Sequence, residues 1–451
     1  MSEIRKVDIG SESYIAFIEV KREKCEPCKY KLELSLDNEN WITVSNNVEY
    51  TASSQPAREP VNSRARYVRI IVTDGALEGS EADFFDLKAI IGRAPEFITG
   101  ADVSHLQQIE DFGGRYFNRY GGEQDCLEIL KDNGVNYIRL KVWNKPGLPY
   151  SDPAGYNDKA HVLEMSKRIK GHGFKLLIDF HYSDWWTDPG KQFMPEEWKG
   201  LSFEELKKAL YDFTSDVVSA LKTQGTSPDM VQVGNEITNG MLWDEARISG
   251  EFDTEEQWDK LCALLKNGLQ AVKDIDGSIR TIIHIERGGD HERCCYFYDK
   301  LMKRGVAFDI IGLSYYPIWH GPLSDFRDNI YNLVLRYGKD IIVVETAYPY
   351  TSEDGDDQPN ASTFSFTAVP PDYPPSVQNQ ANILQAISLA LKNLPGGKGR
   401  GFFYWQPDFI PVKDAGWKYG EGCEWDDQTM FDFKGNALWS LDVFRMHCPD
   451  T

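Results

Sequence analysis

Two patterns of apolar and polar positions divide the chain. Up to about residue 92, apolar side chains recur at every second position, as in 30–36 and 65–72, and the polar stretch 37–40 is a turn signal. This part of the sequence lacks the 3.6-residue apolar period of a helix. The pattern predicts an all-β unit over residues 1–92, for which a β-sandwich is the natural fold.

From residue 96, short apolar runs alternate with amphipathic stretches. Eight strands separated by helices predict parallel βαβ units, and eight units over residues 96–451 match a (β/α)8 barrel. The alternative is an open doubly wound sheet. That fold usually carries a glycine-rich phosphate turn after its first strand, and "GADVS" at 100–104 is not one. The predicted strands are 97–103, 135–141, 174–180, 230–235, 281–286, 308–315, 340–345 and 401–406. Helical periodicity lies between them, for example at 126–133, 161–171, 203–224, 258–275 and 377–394.

The predicted strands end in polar and aromatic residues. The chemistry of a (β/α)8 barrel lies at the carboxyl ends of its strands, so these side chains should converge on one cup. A carboxylate in such a position is costly because it stands beside a dry interior. The candidate residues at the strand ends are Asp102, Arg139, Trp143, His181, Asp184, Trp186, Asn235, Glu236, His284, Tyr315, Glu345 and Trp405.

Glu236 and Glu345 form the most informative pair, because each ends a hydrophobic strand. Hydrolysis of a glycosidic bond requires two carboxyl groups beside that bond. One is protonated to assist the leaving group, and the other is ionised to attack the anomeric carbon or to position water. Their surroundings must therefore separate the two pKa values. Structural ion pairs are the alternative interpretation, but Asn235 and the aromatic cup favour catalysis.

Other strand-end residues can support such a pair. Arg139 can hold a nucleophilic carboxylate ionised by charge pairing, or it can form a structural ion pair. His181 and His284 can orient a glutamate or a hydroxyl group, or they can be hydrogen-bonded core residues. Tyr315 can donate a hydrogen bond to Glu345, or it can be a core aromatic residue.

Asp102 and Asp184 are candidate ligands for sugar hydroxyl groups at the rim of the cup. Aromatic side chains at the strand ends and in the long loop 408–425 are candidate platforms for sugar rings, with core packing as the alternative in the loop. The candidate tryptophans are Trp143, Trp186, Trp405, Trp417 and Trp425.

Composition narrows the class of ligand. The chain has 49 Lys and Arg against 70 Asp and Glu, and its formal charge is −21. Such a surface repels phosphate backbones and anionic lipid, so a nucleic-acid partner is not expected. No apolar run approaches the roughly 18 residues of a membrane span. With 12 Trp, 22 Tyr and 23 Phe, the chain favours an uncharged ligand with flat faces, and sugars are the obvious class.

A candidate cation site follows the seventh predicted strand. Oxygen-bearing side chains recur there at every second position, which is a spacing found in calcium loops. The loop therefore predicts a structural calcium ion beside the cleft, with a solvated acidic turn as the alternative. The candidate ligands are Asp354, Asp356, Gln358 and Asn360.

The pair Cys25-x-x-Cys28 stands without a second pair of metal ligands, so a hairpin turn or a local disulfide is favoured over metal binding. The first residues are charged and lack the apolar segment of a signal peptide. Either the protein is cytoplasmic, or the sequence lacks its native start.

Eight ordered motifs over residues 96–447 resemble the endo-β-1,4-galactanases (arabinogalactan endo-galactosidases), within the superfamily of retaining (β/α)8 glycosidases. The resemblance implies Glu236 as general acid/base, Glu345 as nucleophile and Asn235 as the residue that binds the sugar 2-hydroxyl. It also implies no cofactor for the chemistry and favours structural calcium. The motifs are "GADVS", "YIRLKVWN", "LLIDFHYSDWWTDP", "MVQVGNEITNG", "FDIIGLSYYP", "VVETAYPYT", "FFYWQP" and "FDFKGNALWSL".

Two positions depart from the family pattern. Lys141 stands where a second arginine is usual, and Gln406 follows Trp405 where glutamate is common. Both substitutions can alter how the cleft selects sugars.

Residues 1–92 resemble the second half of a discoidin-type (coagulation-factor C-type) jelly-roll domain in "VDIG", "YKLELSLDNENW" and "ARYVRIIVT". Such domains are longer, so the opening strands are expected to be missing. We therefore expect a truncated start and an extracellular or cell-surface protein, with a cytoplasmic location as the alternative.

Together these features predict a retaining endo-glycosidase that hydrolyses internal β-1,4-galactosidic bonds of galactan or type I arabinogalactan. These polymers are neutral and suffer no repulsion from an acidic protein. The alternatives are another retaining β-glycanase, such as a mannanase or a cellulase, and a non-catalytic carbohydrate-binding protein.

Overall fold

The computed structural model describes residues 2–22, 28–50, 56–74, 85–92, 96–362 and 373–447. Cys25 lies outside these residues, so the prediction for the Cys25-x-x-Cys28 pair stays a prediction. No helix within the described ranges is long and apolar enough to cross a bilayer.

Within the described residues, five antiparallel strands precede the barrel. They are β1 (Ser2–Arg22), β2 (Cys28–Ser35), β3 (Ile42–Tyr50), β4 (Ala57–Asp74) and β5 (Phe85–Ile91). The strands form one sheet in the order β3-β2-β4-β1-β5. Bulges in β1, between Asp8 and Ser13 and between Ile15 and Phe17, interrupt its pairing with β4. A small β unit ahead of the barrel is confirmed, whereas its likeness to a discoidin-type sandwich stays a prediction.

Eight parallel strands then close into a barrel, which confirms the (β/α)8 prediction. Each predicted apolar run overlaps one of these strands. The barrel strands are β6 (Ile98–Asp102), β7 (Tyr137–Val142), β8 (Lys175–Phe180), β9 (Met230–Val233), β12 (Arg280–Ile285), β13 (Ile310–Ser314), β14 (Asp340–Thr346) and β15 (Gly399–Trp405). Two short strands, β10 (Gly240–Met241) and β11 (Ala246–Arg247), pair with each other in the loop after β9.

Helices connect the barrel strands, and one more helix follows the last strand. They are α1 (Leu106–Asp111), α2 (Cys126–Asp132), α3 (Lys159–Gly171), α4 (Phe203–Thr223), α5 (Glu255–Ile275), α6 (His291–Lys303), α7 (Leu323–Tyr337), α8 (Val377–Lys392) and α9 (Asp442–His447). Ser202 begins α4 with a capping box, in which its hydroxyl accepts from the Glu205 N–H and the Glu205 carboxylate accepts from the Ser202 N–H.

Apolar side chains fill the barrel interior below its carboxyl end. Phe403 reaches across to β6, where a methyl group added at Gly100 would lie 2.2 Å from its ring. Glycine at this position therefore lets the ring fill the barrel. Because the lower interior is closed, the polar residues gather at the upper rim. The interior cluster comprises Ile98, Tyr137, Leu177, Met230, Ile282, Ile310, Ile342, Val344 and Phe403.

The N-terminal sheet packs on the outside of the barrel, where β3 and β4 contact α8 and α9. The Gln385 side chain on α8 donates to the Ser63 hydroxyl at 2.8 Å, and both groups are buried. The backbone N–H of Thr43 donates to Asn382 Oδ1 at 3.0 Å. The barrel helices thus satisfy polar groups of the sheet that face them.

Candidate active site

A cleft of about 410 Å³ opens at the carboxyl ends of the barrel strands. The floor includes predicted residues from the ends of four strands: Arg139, His181, Asn235, Glu236 and Glu345. Aromatic side chains line the walls, and they are Trp185, Trp186, Tyr316, Trp319, Trp405, Trp417 and Trp425.

Glu236 and Glu345 face each other on the cleft floor, where a carboxylate oxygen of one lies within 4.8 Å of a carboxylate oxygen of the other. Their exposed fractions are only 9% and 5%. Glu236 directly follows the turn after β9 and has a left-handed backbone, with φ 49° and ψ 49°. This conformation costs a residue with a side chain about 1–3 kcal/mol, and it clusters at functional sites.

Both carboxylate oxygens of Glu345 accept hydrogen bonds. Arg139 Nη2 donates to Oε1 at 2.8 Å, and the Tyr316 hydroxyl donates to Oε2 at 3.1 Å. Burial raises the pKa of Glu345 to about 7, while the Arg139 charge acts in the opposite direction. The two donors favour the ionised form of this carboxylate.

Arg139 is itself fixed by two further carboxylates. Its Nη1 donates to Asp102 Oδ2 at 2.7 Å, and its Nη2 donates to Asp179 Oδ2 at 2.8 Å. The other oxygen of Asp102 accepts from the hydroxyl and the backbone N–H of Ser104. Asp102 is 1% exposed and orients Arg139 in this structure, and the prediction that it binds sugar hydroxyls stays a prediction.

Glu236 has neutral hydrogen-bond partners. The Ser314 hydroxyl donates to Glu236 Oε1 at 2.5 Å, and His284 Nε2 lies 2.8 Å from the same hydroxyl. His284 Nδ1 lies 3.0 Å from Asn235 Oδ1 and 3.4 Å from the backbone N of Glu236, so the tautomer of the ring sets which of them it binds. Burial lowers the pKa of His284 well below its ordinary value, and the imidazole is neutral.

This environment keeps a proton on Glu236. Burial raises the pKa of Glu236 well above its ordinary value, and the charges of Glu345 and Glu286 raise it further. Glu345 has the Arg139 guanidinium beside it, whereas Glu236 has only neutral hydrogen-bond partners. The pair therefore has one carboxyl group suited to donate a proton and one suited to attack.

Asn235 and His181 complete the floor. Asn235 Oδ1 accepts from Arg139 at 3.0 Å, and its Nδ2 donates to the carbonyl of Thr187 at 2.9 Å. His181 Nδ1 accepts from the Thr187 N–H at 3.1 Å, so its Nε2–H points to Asp179 Oδ2, 3.0 Å away. Both side chains are fixed and border the cleft, which is consistent with contact to a bound ligand.

The Tyr315 backbone N–H donates to the Glu345 carbonyl at 2.9 Å, but its hydroxyl faces away from the carboxylate, so the predicted donor is wrong by one residue. Its hydroxyl donates to the carbonyl of Gly321 at 2.9 Å, and its ring stacks on Phe326. Tyr316 makes the predicted contact instead. Strand β13 ends at Ser314, and the turn that follows decides which of the two tyrosines faces inward.

Two further predicted residues lie outside the cleft wall. Asp184 accepts backbone N–H groups from Lys145 at 2.9 Å and Glu196 at 2.8 Å, so it ties two loops together. Trp143 packs edge-on behind Trp186, with ring centroids 5.4 Å apart. In this structure Asp184 joins two loops and Trp143 supports Trp186, and the predicted contacts of these two residues with sugar stay predictions.

The other predicted tryptophans form one aromatic wall. The rings of Trp405 and Trp425 meet edge-on at 4.6 Å, and Trp186 lies 5.5 Å from Trp405. Trp417 contacts the same group. Flat faces bordered by polar groups suit stacking against sugar rings. Trp185 and Trp319 also line the cleft. The strand-end pattern does not predict them, because Trp185 lies in the loop after β8 and Trp319 lies beyond the end of β13.

The acidic loop after β14 forms part of a carboxylate cluster. Asp354 and Asp356 lie with Asp426 so that one oxygen of each is within 4.8 Å of the others. Asn360 Nδ2 donates to Asp426 Oδ1 at 2.8 Å, and the Gln358 N–H donates to Asp356 at 2.7 Å. Burial raises the pKa of Asp426 to about 7, and the charge of Asp354 adds to the shift. Sequence spacing missed Asp426 because it comes from the loop after β15.

Comparison with known proteins agrees with this geometry. The family model described as glycosyl hydrolase family 53 matches residues 98–444. An endo-β-1,4-galactanase of Bacillus subtilis (strain 168) is 36% identical over 417 residues, which cover 85% of this chain and 93% of that protein. An arabinogalactan endo-β-1,4-galactanase of Cellvibrio japonicus (strain Ueda107) is 33% identical over 358 residues, which cover 77% of this chain and 90% of that protein.

A solved structure of similar fold is described as the Ignisphaera aggregans GH53 catalytic domain. It has a TM-score of 0.73 and 41% sequence identity, and the match covers 79% of this chain and 99% of that chain. The family match spans the whole barrel and includes both strand-end glutamates. The chain belongs to glycosyl hydrolase family 53.

Proposed function

We propose that this glycoside hydrolase is a retaining endo-β-1,4-galactanase that cleaves internal bonds of galactan and type I arabinogalactan. The observation that carries the proposal is the close approach of Glu236 and Glu345, whose oxygens lie within 4.8 Å. Retaining enzymes hold their carboxyl groups about 5–5.5 Å apart, whereas inverting enzymes leave about 6.5–9.5 Å for a water molecule. The names of the Bacillus and Cellvibrio relatives support galactan as the substrate.

In the first step, the Glu345 carboxylate attacks the anomeric carbon of a galactosyl unit. Protonated Glu236 gives its proton to the departing glycosidic oxygen as the bond from carbon to oxygen breaks. A galactosyl ester on Glu345 results, and the shortened chain leaves. Arg139 and Tyr316 hold the attacking carboxylate in place throughout.

In the second step, ionised Glu236 removes a proton from water, and the water oxygen attacks the anomeric carbon. The ester bond breaks, and Glu345 regains its negative charge beside Arg139. Two displacements at one carbon return the original β configuration. The two glutamates supply both the nucleophile and the proton transfers, so this mechanism uses no cofactor.

The surface and the cleft both suit a neutral polymer. A formal charge of −21 imposes no Coulombic penalty on an uncharged chain of galactose. The open cleft has aromatic walls on which sugar faces can stack. A polymeric substrate also supports the expectation of an extracellular or cell-surface site of action.

The substrate is tested by measuring reducing-sugar release from pectic galactan, mannan and cellulose. We expect reducing sugar to be released from galactan alone, because the geometry of the two glutamates fits a retaining glycosidase and the galactanase relatives point to this polymer. Glu345→Gln should lower turnover at least about a thousandfold, since it removes the nucleophile, while galacto-oligosaccharide binding stays measurable by calorimetry. Preferential cleavage of mannan or cellulose, or full activity of Glu345→Gln, would contradict the proposal.

The ionisation of Glu345 is tested by the pH dependence of kcat/KM for Tyr316→Phe. Removal of a hydrogen bond to the carboxylate raises the pKa of Glu345, so a larger fraction of the enzyme carries a protonated, inactive nucleophile at low pH. The acidic limb of the kcat/KM profile of Tyr316→Phe should therefore move to higher pH by about one unit.

Tyr315→Phe is the matched control, because the Tyr315 hydroxyl donates to a backbone carbonyl away from Glu345. Its acidic limb should coincide with that of the wild type. An equal shift in both variants, or no shift in Tyr316→Phe, would show that Tyr316 does not stabilise the charged nucleophile.

We also propose a structural calcium ion at the carboxylates of Asp354, Asp356 and Asp426. Three carboxylate oxygens within 4.8 Å repel one another, and a divalent cation with oxygen ligands would relieve this repulsion. The ion would join the loop after β14 to the loop after β15. Since Trp425 lies beside Asp426 and lines the cleft, the ion would also fix the aromatic wall.

Removal of calcium by EDTA should lower the Tm of the wild type by several degrees and reduce its activity, because an ion that binds only the folded state stabilises it. Asp426→Asn should show a much smaller response to EDTA. Asp357→Asn, an exposed neighbour in the same loop, is the control and should respond as the wild type does. Unchanged Tm and activity of the wild type after chelation would rule out this ion.

A further inference from the structure

Lys141 is a buried amine without a hydrogen-bond acceptor in the described part of the structure. It lies on β7 two residues after Arg139, and the two side chains enter the same side of the barrel. Arg139 binds three carboxylates, whereas Lys141 Nζ binds none. The residue is only 1% exposed, yet it forms part of the cleft wall. An unpaired buried polar group is costly, so this one is expected to have a partner in another state of the protein.

Aromatic rings hold the amine at the cleft. Lys141 Nζ lies 3.8 Å from the ring centroid of Trp186 and 5.0 Å from that of Trp143. Such contacts orient a cation over the ring face without satisfying its N–H groups. The amine is thus presented beside Trp186, which belongs to the aromatic wall.

The carboxylates of Asp102 and Asp408 act on Lys141 through their charge, but neither accepts a hydrogen bond from Nζ within the described residues. Asp102 is occupied by Arg139 and Ser104, and the Asp408 carboxylate is buried without a hydrogen-bond partner among the described residues. Burial lowers the pKa of Lys141 to about 7, and the charge of Asp102 opposes this shift. The amine and the ammonium forms both carry N–H groups, so hydrogen-bond donation persists across neutral pH.

We propose that Lys141 is a specificity-determining residue that donates a hydrogen bond to a hydroxyl group of a galactosyl unit bound on the Trp186 side of the cleft. This inference rests on the proposed galactanase function. A hydroxyl group is the acceptor that an uncharged galactosyl unit offers to a buried N–H donor. A site that pairs a buried polar group with one hydroxyl rejects a sugar that lacks it.

The test is a cycle of variants and deoxy substrates, measured as kcat/KM. The parent substrate is 4-nitrophenyl β-1,4-galactobioside, and each analogue has one free hydroxyl replaced by hydrogen. We expect Lys141→Met to lower kcat/KM for the parent substrate by about tenfold to a hundredfold, because one charge-assisted hydrogen bond is lost. With the wild type, one analogue should have a kcat/KM lower than that of the parent by a similar factor, because it lacks the hydroxyl group that Lys141 binds. For that analogue, Lys141→Met should lower kcat/KM by less than about threefold.

The comparison separates a contact with substrate from an effect on folding. Each analogue is compared with itself in two proteins, so changes in its intrinsic reactivity cancel. Lys141→Arg keeps a donor and should recover part of the loss. Lys418→Met is the control, because Lys418 also lines the cleft but is paired with Glu421 at 2.7 Å. Lys418→Met should change kcat/KM by the same factor for every substrate.

Equal losses for Lys141→Met on the parent and all analogues would overturn the proposal, as would no loss on the parent. If Lys141→Met does not fold, Lys141→Gln enters the same cycle. The wild type also gives an independent answer: if no deoxy analogue loses more than about threefold, no hydroxyl group has such a partner. Failure of the wild type to cleave the parent or galactan contradicts the proposed function, and this inference with it.

Discussion

The active site depends on one guanidinium buried at the mouth of the barrel. Arg139 is 1% exposed and meets the carboxylates of Asp102, Asp179 and Glu345 at 2.7–2.8 Å. Burial of such charges is expensive, and the cluster is stable only while every partner is present; loss of one member of a buried pair costs about 3–5 kcal/mol. Three carboxylates share a single cation, so negative charge is in excess. The cluster fixes the position of Glu345. Burial raises the pKa of this carboxyl group to about 7, Asp179 and Asp102 add to the shift, and the Arg139 charge opposes it.

The two glutamates differ because the barrel surrounds them differently. Glu345 ends β14 opposite the charged end of β7, whereas Glu236 follows β9 and faces the neutral groups of His284 and Ser314. The positive φ of Glu236 turns its side chain toward the floor. One carboxyl group keeps its proton and the other has a cation beside it, which is the asymmetry that a double displacement requires. The fold thus creates two roles from two residues of one type.

The periodic pattern of the sequence was sufficient for the eight barrel strands, because strand interiors are apolar and their ends carry the polar residues. It was also sufficient to select Glu236, Glu345 and Arg139. It could not decide between Tyr315 and Tyr316, because the turn after β13 sets which side chain faces inward. The periodic pattern also did not predict contacts between loops that are distant in the sequence.

Three examples show what long-range packing adds. Asp426 joins the acidic loop only through the tertiary fold, and Asp184 faces backbone N–H groups that no spacing rule would place beside it. The docking of the N-terminal sheet on α8 is a third case, since it depends on the shapes of two separate units. Sequence patterns place a residue on an element, and only packing decides what its side chain contacts.

The central claim is that Glu345 forms a covalent bond with the sugar while Glu236 transfers the proton, so that the product keeps the configuration of the substrate. Proton NMR of galactan oligosaccharides in the first minutes of hydrolysis tests it most directly, because the anomeric signals of the new reducing end are separate before mutarotation mixes them. The account predicts that the β-anomer appears first and the α-anomer follows by mutarotation. Initial appearance of the α-anomer would mean a single displacement by water and would contradict the mechanism.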